Sequence, residues 1–92
     1  ENFSIGILDL ETRPLDPKEK KRVENGIAVV SSAGIAAAAG IRKGDIILKA
    51  GGRTIKSRED FASAVKGAKD SLAILIDRSG RRIFVPIKLA DK

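Results

Sequence analysis

The 92-residue sequence contains no cysteine, no histidine and no tryptophan or tyrosine, and its aromatic residues are three phenylalanines. Without cysteine, the chain forms neither disulfides nor thiolate metal sites. Without histidine, it lacks the usual general base, the common zinc ligand and any Ser-His-Asp triad. The serines have no imidazole to activate them, so we expect this chain to have no catalytic residues, no cofactor and no metal site.

Long hydrophobic runs are also missing. No apolar segment is long enough to span a bilayer, and the first residues lack the hydrophobic stretch of a signal peptide. The sequence begins at Glu1 without an initiator methionine, so we expect residues 1–92 to be one domain cut from a larger protein. With 42% hydrophobic residues and so few aromatics, its core must consist of isoleucine, leucine, valine and alanine.

Positive charge exceeds negative charge, with a formal net charge of +6 and a pI near 10.0. The basic residues form short groups within residues 18–22, 42–43 and 78–82, in predicted turns and a polar helix. This distribution favours a solvated surface over an anion-binding one. Binding of single-stranded nucleic acid usually needs aromatic stacking platforms as well, and all three phenylalanines lie at positions of apolar periodicity. We therefore expect no nucleic-acid partner and no membrane insertion.

Residues 36–48 (AAAAGIRKGDIIL) combine a helix end, a turn and a strand. Alanine has the highest helix propensity, and Gly40 just past the alanines predicts a left-handed C-cap. The β-branched residues after Asp45 predict a buried strand. No Lys-Ser or Lys-Thr pair follows the glycines here, so the segment is not expected to bind a nucleotide phosphate.

Alternating or continuous apolar residues predict strands at residues 2–10, 26–32, 45–50, 53–55, 72–77 and 83–89. A hairpin turn joins the last two, and Pro86 marks the final strand as an edge or a bulge because proline cannot donate to a ladder. Between the first two strands, the polar residues 12–25 predict a short helix that begins after Asp16. No function is readable in this insertion.

Residues 57–68 (SREDFASAVKGA) predict the clearest helix, with Ser57 as its N-cap and acidic residues in the first turn. Phe61, Ala64 and Ala68 fall on one stripe and are expected to face the core. A second stripe lies beside it and consists of Arg58, Ala62, Val65 and Lys66.

The central pattern A-G-I-R-K-G-D-I-I-L, followed by G-R-T-I, resembles the centre of bacterial PDZ domains, and the likeness extends over residues 3–89. It is closest to the PDZ modules of HtrA/Deg-type periplasmic serine proteases, in particular the second, C-terminal one. The resemblance implies an α+β fold, a PDZ-like partly open β-barrel or sandwich of five to six strands capped by two main helices. It also implies the circularly permuted bacterial order, in which the last strand takes the place of the first strand of eukaryotic PDZ domains.

The resemblance also implies a peptide-binding groove. A glycine-containing loop would hold a ligand carboxylate with its backbone N–H groups, residues 7–10 would form a strand with an open edge, and the helix over 57–68 would form the opposite wall. The implied peptide-binding residues are Ser4, Ile5, Gly6, Ile7, Leu8, Asp9, Arg58, Ala62, Val65 and Lys66. Arg58 stands where many eukaryotic PDZ domains have a histidine, which suggests a preference for an acidic or polar ligand residue or simply a solvent-facing side chain.

By the same resemblance, the domain would bind C-terminal or unfolded peptides for a DegP-like serine endopeptidase in periplasmic protein quality control and stress response. Its other partners would be the protease domain and the other PDZ domain of the parent chain, in a homo-oligomer. Two alternatives stay open. One is an assembly domain with a non-functional groove, for which Leu8, Leu10 and Leu15 are the interface candidates. The other is the PDZ module of a different protease or of a secretion protein.

Overall fold

The computed structural model describes residues 3–5 and 10–88. The strands are β1 Phe3–Ile5, β2 Leu10–Pro14, β3 Ile27–Ser32, β4 Ile46–Ala50, β5 Arg53–Thr54, β6 Ser71–Arg78 and β7 Arg81–Lys88. The helices are α1 Pro17–Arg22, α2 Gly34–Ala39 and α3 Arg58–Gly67. All strand pairs are antiparallel, in the order β1-β2-β3-β4-β6-β7, with β5 paired to β4 beside this path. None of the described helices is long and apolar enough to cross a membrane.

The predicted α+β architecture is confirmed, with six strands on one path and α2 and α3 as the two main helices. Pro86 lies in β7, at one end of the sheet, as expected for an edge strand. The structure differs from the prediction near the N-terminal end, where the sequence predicted one strand over residues 2–10. The chain instead forms β1 and then β2, and β2 runs through residues 12–14 of the predicted polar insertion.

The main core is aliphatic, as predicted, and α2 and α3 both contribute to it. Its largest member is Phe61 of α3, which is fully buried. The cluster consists of Leu10, Ile27, Val29, Ala36, Ile41, Ile47, Ala50, Ile55, Phe61, Leu72, Ile74, Ile76, Val85 and Ile87. Because Leu10 is fully buried in this cluster, the prediction that it is an interface residue is wrong.

A smaller apolar cluster holds α1 against the sheet. It consists of Val23, Ile46 and Leu48, with Leu15 and Leu75 packed against it. Successive residues of a strand point to opposite faces, so Ile46 lies on the other face of β4 from the main core. The helix α1 buries none of its own residues. The residues that flank it, Leu15 and Val23, therefore anchor the insertion, and Leu15 is half-buried there rather than open to a partner.

An ion pair between the half-buried Arg78 and the buried Asp45 joins the end of β6 to the turn before β4. The Arg78 guanidinium donates from Nε to Asp45 Oδ1 at 2.9 Å and from Nη2 to Asp45 Oδ2 at 2.8 Å. Nη2 also donates to the carbonyl of Gly40 at 2.7 Å. Gly40 ends α2 with a φ of 110°, the left-handed C-cap predicted for it. The hydrogen bonds to Asp45 raise the pKa of Arg78.

We expect Arg78→Ala to lower the free energy of unfolding by about 2 kcal/mol, because the buried Asp45 carboxylate would lose its charged partner and keep only the hydrogen bond from the Arg42 N–H at 2.9 Å. The side chain of Asp45 is only 2% exposed. Arg78→Lys should lose much of the same stability, since an ammonium cannot donate two parallel hydrogen bonds to one carboxylate. Urea denaturation measures both effects, with the exposed Arg82→Ala as a control that should stay within about 0.5 kcal/mol of the wild type. An Arg78→Ala domain of unchanged stability would contradict this role.

Gly26, immediately before β3, lies too close to β4 for a side chain. A Cβ at this position would stand 2.7 Å from Ile46 Cγ2 and 2.9 Å from the carbonyl oxygen of Ile47. We expect Gly26→Ala to lower the free energy of unfolding by more than about 2 kcal/mol. The matched control is Gly67→Ala in α3, where a Cβ meets nothing within 4 Å. This control should be neutral or stabilising by up to about 1 kcal/mol in thermal unfolding, and equal losses from the two substitutions would refute the steric argument.

Candidate functional site

The helix α3 is held in place by its N-terminal cap and by the core. Ser57 Oγ accepts a hydrogen bond from the backbone N–H of Asp60 at 3.3 Å, which confirms the predicted N-cap. Asp60 Oδ2 accepts from the backbone N–H of Lys56 at 2.9 Å, so the carboxylate reaches back to the residue before the cap. With Phe61 buried beneath it, α3 lies against β2, β4 and β5. The helix therefore forms a wall beside the sheet at β2.

The predicted binding residues on α3 follow one side of this wall. Ala62 and Val65 are half-buried and contact the main core, so part of each side chain stays accessible. Arg58 is half-buried in the first turn, whereas Lys66 is exposed. The side of α3 formed by Ala62 and Val65 is thus apolar and partly open, which suits contact with an aliphatic side chain.

The stripe of α3 predicted to face the core is only partly buried. Phe61 is buried, but Ala64 and Ala68 are half-buried. Both line a shallow cavity of about 340 Å³ between the end of α3 and the strands β4 and β6. Small side chains at these two positions leave this space unfilled.

β2 has a strand on each side over much of its length. On its inner side it pairs with β3, and on its outer side Phe3 pairs with Thr12 and Ile5 with Leu10. The sequence predicted an open edge along residues 7–10. Of these only Leu10 lies within the described residues, and it pairs with Ile5 of β1. No described residue of β1 pairs with Arg13 or Pro14.

The N-terminal binding residues predicted from the sequence fall into two groups. Ser4 and Ile5 lie in β1. The predicted loop and strand residues Gly6, Ile7, Leu8 and Asp9 lie outside the described residues. Their role in binding a carboxylate stays a prediction.

The helix α1 flanks the end of β2 and is joined to it by an ion pair. Glu19 and Asp16 form a capping box, in which Asp16 Oδ1 accepts from the Glu19 N–H at 2.8 Å and Glu19 Oε1 accepts from the Asp16 N–H at 2.9 Å. The Arg13 guanidinium donates to both carboxylate oxygens of Glu19, at 2.9 and 2.8 Å. These hydrogen bonds lower the pKa of Glu19 and raise the pKa of Arg13.

A cavity of about 390 Å³ opens between the end of β2, α1 and the start of α3. Its lining includes four cationic side chains, those of Arg13, Lys20, Lys56 and Arg58. Two carboxylates, Glu24 and Glu59, also line it. The cavity therefore has an excess of positive charge. Among the described residues, no group of three or more acidic side chains lies close enough together to hold a metal ion.

Thr12 lines this cavity and has an unsatisfied hydroxyl group. The residue is 1% exposed, and Oγ1 has no hydrogen-bond partner among the described residues. A buried polar group without a partner costs about 1–3 kcal/mol. The pairing of β2 with β3 shifts register between Glu11 and Thr12, and such bulges change the direction of a side chain. The sequence pattern did not point to Thr12, because the register shift beside it interrupts the alternation along the strand.

Comparison with known proteins identifies this architecture. A family model described as PDZ domain matches residues 26–78. The chain belongs to the PDZ domain family. This PDZ domain is 33% identical over 90 residues to a probable periplasmic serine endoprotease, DegP-like, from Halomonas elongata. The match covers 92% of the domain and 19% of that relative. It is 31% identical over 81 residues to the DegP-like protein of a Marinomonas species, covering 85% of the domain and 17% of that relative.

The PDZ domain thus spans about a fifth of the length of these DegP-like relatives. It is also 40% identical over 56 residues to the zinc metalloprotease Rip1 of Mycobacterium tuberculosis, covering 61% of the domain and 14% of that protein. Similarity therefore reaches proteins named as serine proteases and as a zinc metalloprotease.

Solved structures share the fold. The crystal structure of the HtrA3 PDZ domain bound to a phage-derived ligand, FGRWV, matches with a TM-score of 0.76 and 24% identity, covering 96% of this chain and 84% of that chain. The PDZ domain of EpsC from Vibrio cholerae matches with a TM-score of 0.61 and 15% identity, covering 86% of this chain and 92% of that chain. The PDZ-like fold implied by the sequence is confirmed.

The lowered pKa of Glu19 makes the attachment of α1 sensitive to acid. A carboxylate whose pKa is lower in the folded state stabilises that state fully above its ordinary value of 4.5, and the contribution disappears as the pH falls through the lowered value. We expect Glu19→Gln, which preserves the capping-box pattern, to reduce the loss of stability between about pH 5 and pH 3 by up to about 1 kcal/mol. Urea denaturation over this range measures the effect, with Glu24→Gln as the matched control. Parallel losses in the wild type and Glu19→Gln would contradict it.

Proposed function

We propose that this PDZ domain binds extended peptides with a free C-terminus between β2 and α3. The observation that carries the proposal is the half-buried apolar side formed by Ala62 and Val65 on α3, a helix that lies against β2. A peptide whose backbone pairs with β2 would place every second side chain against this side of α3. The HtrA3 PDZ domain, which shares the fold, was crystallised with a peptide ligand, and this supports the proposal.

In this proposal the ligand carboxylate is held by successive backbone N–H groups around Ile5, Gly6 and Ile7. Glycine permits the concave turn that such a nest requires. The last side chain of the ligand would contact Ile5, Ile7 and Val65, so Val, Leu, Ala or Phe would fit. The remaining contacts would come from Ser4, Leu8, Asp9, Arg58, Ala62 and Lys66. A contact of this size favours affinity in roughly the micromolar range.

A peptide would reach the edge of β2 by taking the place of β1, and Ser4 and Ile5 would then leave β2 to join the loop that holds the ligand carboxylate. Only three residues of β1 pair with β2, from Phe3 opposite Thr12 to Ile5 opposite Leu10. A longer ligand strand could pair along β2 as far as Arg13 and so gain hydrogen bonds that β1 does not make. In this proposal, β-augmentation exchanges a three-residue strand for a longer one.

We further propose that the parent protein is a periplasmic DegP-like serine endoprotease of protein quality control. The supporting observation is the 33% identity over 92% of this chain to the relative from Halomonas elongata. In such a protein the PDZ domain would present substrate C-termini to a separate protease domain within a homo-oligomer. The domain itself is a binding module and has no histidine for a serine triad.

A second candidate function, protein assembly, has its own support. β1 already occupies part of the groove edge, as a domain with an occluded groove would require. On the opposite edge of the sheet, Phe84 of β7 is 70% exposed, although its apolar character had placed it with the core residues. An exposed aromatic residue on an edge strand is suited to contact a neighbouring domain.

Fluorescence polarisation with labelled peptides that end in free Val, Leu or Phe tests the peptide-binding function. Each free acid should bind at roughly micromolar concentration, and its C-terminally amidated twin should not. Gly6→Val should abolish binding. Val65→Asp should weaken binding at least about tenfold, because it places a charge against the apolar side chain of the ligand. Ser63→Asp is the matched control, since Ser63 is exposed on the same helix.

The same samples separate the two candidate functions. Failure of every free-acid peptide, together with self-association in sedimentation experiments that Phe84→Ser removes, would favour assembly over peptide binding. Equal binding of the free acids and their amides would instead exclude recognition of a C-terminal carboxylate.

A further inference from the structure

We infer that the cavity between β2, α1 and α3 is an anion subsite that accepts an acidic side chain from the upstream part of a bound peptide. The inference rests on the proposed function, because the peptide along β2 delivers this side chain. Three features of the described residues carry it: the unpaired charge of the lining, the unsatisfied hydroxyl of Thr12, and the position of the cavity along β2.

The unpaired charge of the cavity is positive. Arg13 is paired with Glu19, and Arg58 with Glu59 at 3.7 Å. The ammonium groups of Lys20 and Lys56 make no ion pair or hydrogen bond within the described residues, and both residues are exposed at the cavity. Only one carboxylate of the lining, that of Glu24, has no ion pair within the described residues. The two lysines therefore exceed it by one positive charge. A ligand carboxylate would balance the remaining charge.

The hydroxyl of Thr12 supplies a hydrogen-bond donor in the same place. Oγ1 is buried and has no partner among the described residues, so it is one of the few polar groups whose hydrogen-bonding capacity is unused. A hydroxyl donates readily to a carboxylate, and such charge-assisted hydrogen bonds are about twice as strong as neutral ones. Rotation of the Thr12 side chain toward the cavity would let an acidic side chain accept from Oγ1 and contact the two ammonium groups. An amide of the same shape would lack the ionic contribution.

The position of the cavity defines which part of the peptide enters it. A peptide antiparallel to β2, with its C-terminus near residues 5–7, runs toward Pro14 and thus toward the cavity. A peptide that takes the place of β1 would have its last residue opposite Leu10, the partner of Ile5. Thr12 and Pro14 lie two and four residues further along β2, so the acidic side chain would stand about two to four residues before the ligand C-terminus. The insertion, whose function the sequence left open, would then be the part of the domain that builds this subsite, through α1 and Lys20.

Fluorescence polarisation with ten-residue peptides that end in free valine tests the subsite. The peptides carry one glutamate two, three or four residues before the C-terminus, and each has a twin with glutamine at that position. We expect at least one glutamate peptide to bind the wild-type domain about five to ten times more tightly than its twin at low salt. The double variant Lys20→Ala/Lys56→Ala should remove this preference and leave the glutamine peptides unchanged. Thr12→Val should reduce the preference about threefold.

The matched control is Lys43→Ala, which removes an exposed lysine outside the cavity and should keep the full preference. Equal binding of all glutamate and glutamine twins to the wild type would overturn the subsite and leave the proposed function intact. A preference that survives in the double variant, or that Lys43→Ala removes equally, would also overturn it, since the cause would then be the overall positive charge. Failure of every free-acid peptide to bind would refute the proposed function and the subsite with it.

Discussion

The two parallel hydrogen bonds between Arg78 and Asp45 fix three elements at one point. The guanidinium reaches the carbonyl of Gly40 as well, so the end of α2, the turn before β4 and the end of β6 cannot move independently. β4 then carries Ile47 into the main core and Ile46 into the cluster beneath α1. Both faces of the sheet therefore depend on how this strand begins, and a buried carboxylate without its arginine would be costly.

Local rules predicted those parts of the domain that local chemistry controls. Gly40 ends α2 because glycine adopts the left-handed backbone conformation at the lowest free-energy cost. Ser57 begins α3 because its hydroxyl accepts a hydrogen bond from a free backbone N–H of the first turn. Pro86 lies on an edge strand for a similarly local reason. Phe84 is exposed because it alternates with Ile83, Val85 and Ile87, which face inward, and shares its own face with Arg82, Pro86 and Lys88. Strict alternation along β7 therefore places Phe84 outside, and only its apolar character suggested the core.

The polar insertion shows most clearly why tertiary contacts escape a sequence pattern. A six-residue helix is too short to be stable alone. It forms here because Glu19 completes a capping box and binds Arg13, while apolar residues on either side of the helix pack under it. Thr12, two residues after a core leucine, becomes buried through the same arrangement. The candidate binding residues on α3 could thus be inferred from a resemblance, whereas the cavity beside α1 became visible only in three dimensions.

The pairing of β1 with β2 bears on how tightly any peptide could bind. Under the proposed function, a domain whose groove edge holds its own strand binds ligand only in the fraction of molecules in which that strand has left. The apparent dissociation constant rises in proportion as this fraction falls. A ligand offsets the free energy needed to displace β1 by making contacts that β1 does not make. These contacts lie beyond Thr12, at Arg13 and the cavity. Upstream residues of a peptide would therefore matter for affinity in this domain, and its C-terminal carboxylate alone would not suffice for tight binding.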